Sequence, residues 1–254
     1  MRSPLQTKAS KALNELKKLF PKNSKISSFF LRDGVLEVGL ASSNRLLVAH
    51  TNKYSIYEFW SILKNQPALI SSMTEFINKR ITIPELYLLQ DNWHERKDSL
   101  ERSSFFFMLS KYSDSGYASH GNLDKKRLNA LHINRIKNFK CEDLYILFDQ
   151  CDDPTDTFVT AKDTDFILLP IGDFSYNLFD QGKNIGPDMY LFDHNKIKKL
   201  VVEMDKKWAL VYNTHPALFK IYKDYHIIMI DKYGNKTQEK NSCTELIISN
   251  FVFS

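Results

Sequence analysis

The chain has 254 residues, 43% hydrophobic and 26% charged, with only 8 Gly and 8 Pro; this composition excludes a disordered or fibrous polypeptide and suits one α/β core with at most a smaller insertion. Its 35 Lys and Arg against 30 Asp and Glu give a net charge of +5, compatible with a polyanionic partner without requiring one. Three scattered cysteines, Cys141, Cys151 and Cys243, argue against a disulfide framework or a Cys-x-x-Cys zinc site, and no apolar run approaches the roughly 20 residues that span a bilayer, so a soluble intracellular protein with buried thiols is expected.

Leu13, Leu16 and Phe20 form one stripe that Pro21 ends, which predicts a short amphipathic helix within residues 9–20. Two short apolar stretches, Ile26 to Leu31 and Arg45 to Ala49, flank Gly34 to Ala41 and predict the order strand, helix, strand. Ile56, Phe59, Trp60 and Leu63 keep helical spacing up to Pro67, and Leu69, Met73, Phe76 and Ile77 continue it beyond, which predicts a helix pair. Residues 80–135 read as a helical insert with a surface loop, because the pattern there turns polar and aromatic and ends in a Ser, Gly and Lys-rich stretch from Ser110 to Arg127. Within it, Phe105 to Leu109 read most simply as core of the insert; because five consecutive apolar residues exceed what one helix face can bury, an exposed interface patch on part of the run is the alternative. Residues 1–79 and 136–254 form the rest of the α/β domain. A strand from Phe166 to Leu169 precedes a long loop; a helix from His194 to Lys206 buries Ile197, Leu200, Val201 and Met204; Trp208 to Tyr212 reads as a strand. After a helical segment from Pro216 to Lys223, His226 to Asp231 and Glu245 to Phe251 read as a terminal antiparallel pair around a turn at Gly234-Asn235.

Several of these segments carry recognisable residues. Ser3-Pro4-Leu5 is followed by Lys11; Phe30-Leu31-Arg32-Asp33-Gly34-Val35 closes the first strand; His50-Thr51-Asn52 precedes the aromatic helix with Ile56, Phe59 and Trp60. Near the end come Lys207-Trp208-Ala209-Leu210-Val211-Tyr212-Asn213, Tyr222-Lys223-Asp224-Tyr225 and Glu245-Leu246-Ile247-Ile248-Ser249-Asn250-Phe251. As an ordered set spanning nearly the whole chain, these resemble the Dam-like, alpha-class N6-adenine DNA methyltransferases. The resemblance implies a Rossmann-like S-adenosylmethionine-dependent methyltransferase fold with a helical target-recognition insert.

The departures from the family fall where its chemistry lies. In the family a Gly-rich loop brings backbone N–H groups to the cofactor, and here Arg32 and Asp33 stand beside the single Gly34. The family's acidic residue after the second strand receives the ribose hydroxyls, and its matching position is His50. Thr7-Lys8-Ala9-Ser10 replace the family's opening Tyr-Pro-Gly-Gly and leave only Lys11 in register. The catalytic Asp-Pro-Pro-Tyr, which accepts hydrogen bonds from the adenine amino group and stacks on the flipped base, is replaced by Pro170, Ile171, Gly172 and Asp173. A shifted alignment could use Asp173-Phe174-Ser175-Tyr176 instead.

The resemblance with these losses implies a catalytically inactive homologue without bound S-adenosylmethionine, acting as a DNA-binding or scaffolding subunit beside an active methyltransferase. A divergent, active N6-adenine methyltransferase is the alternative. Candidate contacts to double-stranded DNA in the insert are Lys111, Tyr112, Tyr117, His120, Lys125, Lys126 and Arg127, where basic groups meet phosphates and rings stack. No metal site is expected, since no His or Cys pair has metal-ligand spacing.

Overall fold

The computed structural model describes residues 2–5, 10–153, 155–156, 163–175 and 186–252. Helix α1 (Leu13–Leu19) leads into β1 (Lys25–Ser28), α2 (Val35–Ala41) and β2 (Leu46–Thr51), the strand-helix-strand order expected. Strand β1 is shorter than its apolar run because Phe30 adopts a left-handed backbone, φ 65°, which turns the chain out of the sheet. Five helices follow: α3 (Tyr54–Asn65), α4 (Pro67–Arg80), α5 (Ile83–Asn92), α6 (Ser99–Tyr112) and α7 (Ala130–Lys137). Each boundary has a local cause. Pro67 starts α4, where its missing N–H is not needed; Thr82 and Glu85 form a reciprocal capping box at α5; Asp98 and Asn129 cap α6 and α7.

Strand β3 (Leu144–Phe148), absent from the expected order, returns the chain to the sheet, and β4 (Phe166–Gly172) continues it. Helix α8 (His194–Val202) starts under an Asp193 cap and ends four residues before Lys206, leaving Leu200 and Met204 half-buried. Then come β5 (Lys207–Asn213), α9 (Pro216–Ile221), β6 (His226–Asp231), the two-residue β7 (Lys236–Thr237) and β8 (Cys243–Ser249).

These strands form one mixed sheet in the order β3-β2-β1-β4-β5-β8-β6-β7, parallel from β3 to β5, with β8 inserted antiparallel between β5 and β6. The terminal pair is therefore antiparallel as expected, and the arrangement is an α/β fold compatible with a Rossmann-like one. Alternation along the strands gives the sheet two apolar faces. Ile26, Leu47, Ala49, Leu144 and Leu168 join the core shared with α1 to α7, while Ile167, Leu169, Trp208, Leu210 and Ile248 join the core under α8 and α9.

The insert shares the first of these cores. All of Phe105 to Leu109 are buried, as core of the insert and without the alternative exposed patch: α6 packs against α3, α4 and α5. The Arg102 guanidinium fixes it to α3 through both oxygens of Glu58, with Nε 2.7 Å from Oε2. None of the three cysteines forms a disulfide, and only Cys243 is buried; Cys141 and Cys151 are half-buried. Among the described residues no helix is long and apolar enough to cross a membrane.

Candidate functional site

The strand order reverses between β1 and β4, the place where open α/β sheets bind ligands beyond the carboxyl ends of their strands. A cleft of about 460 Å³ opens there, walled by the β1–α2 loop, the end of β4, the end of β5 and the insert loop. Arg32, Asp33, Tyr117, Arg127, Asp173 and Asn213 all face it. The Arg32 guanidinium lies 3.2 Å from the Asp33 carboxylate and 4.3 Å from the centre of the Tyr117 ring, so the β1–α2 loop is tied by its side chains to the insert. Beneath it, Gly34 is left-handed, and Trp60 Nε1 donates to the Arg32 carbonyl at 2.9 Å. The Ser3 hydroxyl donates to the Asp33 carbonyl, and Glu245 receives the backbone N–H groups of Lys11 and Ala12 at 3.0 and 2.8 Å. Ser3 and Lys11 do not line the cleft themselves but are hydrogen-bonded to Asp33 and Glu245, which do; Thr7, Lys8 and Ala9 lie outside the described residues.

At the end of β2, His50 is 3% exposed, stacked on Phe29 with ring centres 4.5 Å apart, and its Nδ1 is 3.1 Å from an Asp149 oxygen. Residues 186–192 cross above it. The Tyr190 hydroxyl donates to the Leu31 carbonyl at 2.9 Å and pairs with the Thr51 hydroxyl, while the ring packs on Phe30 and Phe192. Asp188 anchors the same segment by accepting the Ala118 N–H at 2.7 Å. Tyr190 keeps some surface, yet burial of its hydroxyl pushes the phenol pKa well up, so it remains a neutral donor.

Beyond β4, Ile171 points into the second core and Asp173 accepts from Asn213 Nδ2 at 2.6 Å. Phe174 sits between the rings of His194 and His215 at 4.7 and 4.8 Å. Burial lowers the His194 pKa to about 4, so the ring is neutral; its Nε2 accepts the Ser175 N–H, which leaves the proton on Nδ1 to donate to the Tyr212 hydroxyl at 3.2 Å. Tyr176 of the shifted motif lies outside the described residues.

Among the described residues the chain has no group of three or more His, Cys, Asp or Glu placed to hold a metal ion. Compared with known proteins, it matches no family model and no curated protein.

Of the seven expected DNA contacts, the structure separates those inside from those outside. Lys111 is 4% exposed and Tyr112 fully buried, its hydroxyl bonded to Asn78, so burial in α6 removes both from any nucleic-acid surface. Burial, with Arg135 beside it, lowers the Lys111 pKa to about 7. Lys125 donates to the carbonyls of Asn78 and Ile81 at 3.1 and 2.7 Å and so closes the end of α4. Tyr117 is half-buried at the cleft, and His120, Lys126 and Arg127 are exposed.

Glu37 was not singled out by its sequence, because a glutamate in the first turn of a helix reads as an ordinary surface residue. It is 2% exposed, lines the cleft floor and accepts the Ser28 hydroxyl at 2.8 Å; burial raises its pKa from 4.5 to about 7. The unfolded chain loses this proton near pH 4.5 and the folded chain only near 7, so stability falls as pH rises through that window, by about 3 kcal/mol in all. Glu37→Gln keeps the acceptor and removes the ionisation. It is expected to match the wild type at pH 4 and to exceed it by about 2–3 kcal/mol at pH 8 in urea denaturation. Equal stability at pH 8 would rule out a neutral Glu37 in the folded state.

Proposed function

We propose that this chain is a catalytically silent relative of the Dam-like N6-adenine DNA methyltransferases that serves as a DNA-binding or scaffolding subunit beside an active methyltransferase. The observation that carries the reading is the occupancy of the β2 end by the protein itself. A nucleoside cofactor needs an ionised acceptor there for its ribose hydroxyls and open space above it. His50 is instead stacked under Phe29 and bonded to Asp149, and Tyr190 spans Leu31 and Thr51 above. These residues do not fit S-adenosylmethionine, and no step is assigned through it. The exposed Lys126, Arg127 and His120 on the insert support contact with DNA phosphates, a contact that positions a duplex without reading its sequence.

The test is calorimetric titration of S-adenosylmethionine into the purified chain, alone and with duplex DNA. No heat of binding is expected in either case, and tight binding would overturn the reading. Retention on DNA is expected to weaken with salt, and replacing Lys126 and Arg127 together by Ala is expected to reduce the salt slope by about 1–2. A DNA affinity independent of salt would leave scaffolding alone. The second reading, an active enzyme acting through Asp173, is favoured by one observation, the presence of that carboxylate in the cleft. It requires methyl incorporation into DNA that Asp173→Ala abolishes.

A further inference from the structure

The sheet ends on one side at β3, which pairs with β2 alone. In a parallel ladder the N–H and C=O of one residue point to the same side, and successive residues alternate. The Asp143 carbonyl and the Asp149 N–H bond to β2, so Tyr145 and Leu147 do too, while Leu144, Ile146 and Phe148 turn their backbone groups outward. Lys64 Nζ covers the Leu144 carbonyl. Among the described residues nothing covers the outward groups of Ile146 and Phe148.

This open stretch is lined by apolar side chains on both faces of the sheet. On one, Phe148 stands edge-on to Tyr54 at 5.5 Å and tilted against Tyr57 at 5.6 Å, forming an aromatic wall from the start of α3. On the other, Tyr145 and Leu147 are 52% and 45% exposed. An unpaired ladder between two apolar rows is the geometry in which an extended peptide adds as a further strand, with backbone hydrogen bonds giving affinity and alternate side chains giving selectivity.

The flanks decide what such a strand must carry. Exposed Glu142 and Asp143 precede β3 and exposed Asp152 follows it, with Asp149, bonded to His50, between; against these four carboxylates stand the exposed Lys140 and the half-buried Lys64, whose Nζ lies 5.0 Å from the Tyr145 ring, so acid outweighs base along the edge. A second copy pairing antiparallel about Ile146 would set Asp143 opposite Asp149 twice over, and like charges directly opposite destabilise a strand pair. Nucleic acid and anionic lipid are disfavoured by the same acidic flanks. We infer that the β3 edge is a docking site for an extended segment of a partner protein, apolar at alternate positions and bounded by Lys or Arg. This surface is independent of the cleft, so it stands or falls separately from the proposed loss of cofactor binding.

The experiment uses the full chain and two blocked peptides, Lys-Lys-Val-Tyr-Val-Tyr-Val-Lys-Lys and its counterpart with Glu in place of Lys. In the free chain, amide hydrogen exchange at Ile146 and Phe148 should be fast while Tyr145 and Leu147 are protected. The lysine peptide should bind, slow exchange at Ile146 and Phe148, and lose affinity with added salt; the glutamate peptide should bind at least about tenfold more weakly. Leu147→Lys, a change at an exposed position that leaves the ladder to β2 intact, should weaken the lysine peptide by about tenfold or more. Three results would each overturn the inference: protection of Ile146 and Phe148 already in the free chain, equal binding of the two peptides, or a concentration-dependent dimer that Leu147→Lys dissolves, which would make a second copy the occupant.

Discussion

Gly34→Ala is expected to destabilise the fold by about 2–5 kcal/mol, through two separable terms. Gly34 has φ +63°, a conformation that costs an L-residue roughly 1–2 kcal/mol. A Cβ there would lie 2.4 Å from Trp60 Cζ2 and 2.5 Å from Cη2, far inside van der Waals contact. Trp60 cannot step aside cheaply: it is fully buried, donates to the Arg32 carbonyl, and packs against Phe59 and Phe139 at 5.6 and 5.9 Å. Overpacking of this kind adds about 1–3 kcal/mol. Gly172 provides the control, since its φ is +80° but no atom lies within 4 Å of the Cβ it lacks. Gly172→Ala should therefore lose only the conformational part, about 1–2 kcal/mol. Urea midpoints of the two variants separate the terms, and equal losses would show that Trp60 is not the obstacle. The same contact accounts for a glycine at this place: Gly34 is fixed by the packing of α3 and needs no ligand to explain it.

Legibility in the sequence followed how local the determining physics was. Strands β1, β2, β4 and β5 have apolar runs that announce them, and the helices around Trp60 and Ile197 have one clear face each, so sheet and helices could be placed from periodicity. Strand β3 was missed although Leu144 to Phe148 is an apolar run like theirs, so its absence from the expected order was an oversight of the same rule and not a limit of the sequence. Arg32, Asp33 and the Pro170 to Asp173 segment were singled out by their order along the chain, and the fold brings them to one cleft, whereas Lys11, Gly34 and His50 do not line it. Lys111 and Tyr112 were misjudged by residue type. Helix α6 is enclosed so completely that Ser103, Ser104 and Ser110 are buried along with them, a property of the surrounding helices and not of the α6 sequence. Tyr190 was invisible for the opposite reason: it lies in a stretch without periodicity, and its role depends on meeting Leu31 and Thr51, more than a hundred positions earlier in the chain.

Tyr190→Ala is expected to cost about 2–4 kcal/mol and to leave a cavity that a small aromatic ligand can refill. The loss combines the packing of the ring between Phe30 and Phe192 with two hydrogen bonds, to the Leu31 carbonyl and the Thr51 hydroxyl. Tyr190→Phe separates them, since it keeps the ring and should cost only about 1–2 kcal/mol. The ring retains some exposure, so the space left by Ala opens to solvent and a soluble ligand can enter. 4-Methylphenol reproduces the missing atoms and should raise the melting temperature of Tyr190→Ala in a concentration-dependent way, as any ligand of the folded state must. The wild type, whose groove already holds its own phenol, should not respond. Adenosine gives the sharper comparison. Rescue of Tyr190→Ala by adenosine would show that the β2 end still has the shape for a nucleoside once the tyrosine is removed, so that a single side chain holds it closed. Rescue by 4-methylphenol but not adenosine would place a second obstacle at His50, whose ring under Phe29 presents no carboxylate to ribose hydroxyls. A Tyr190→Ala chain as stable as the wild type, with no response to either ligand, would mean that the 186–192 segment does not fill the groove in solution, and the main support for the proposed loss of cofactor binding would go with it.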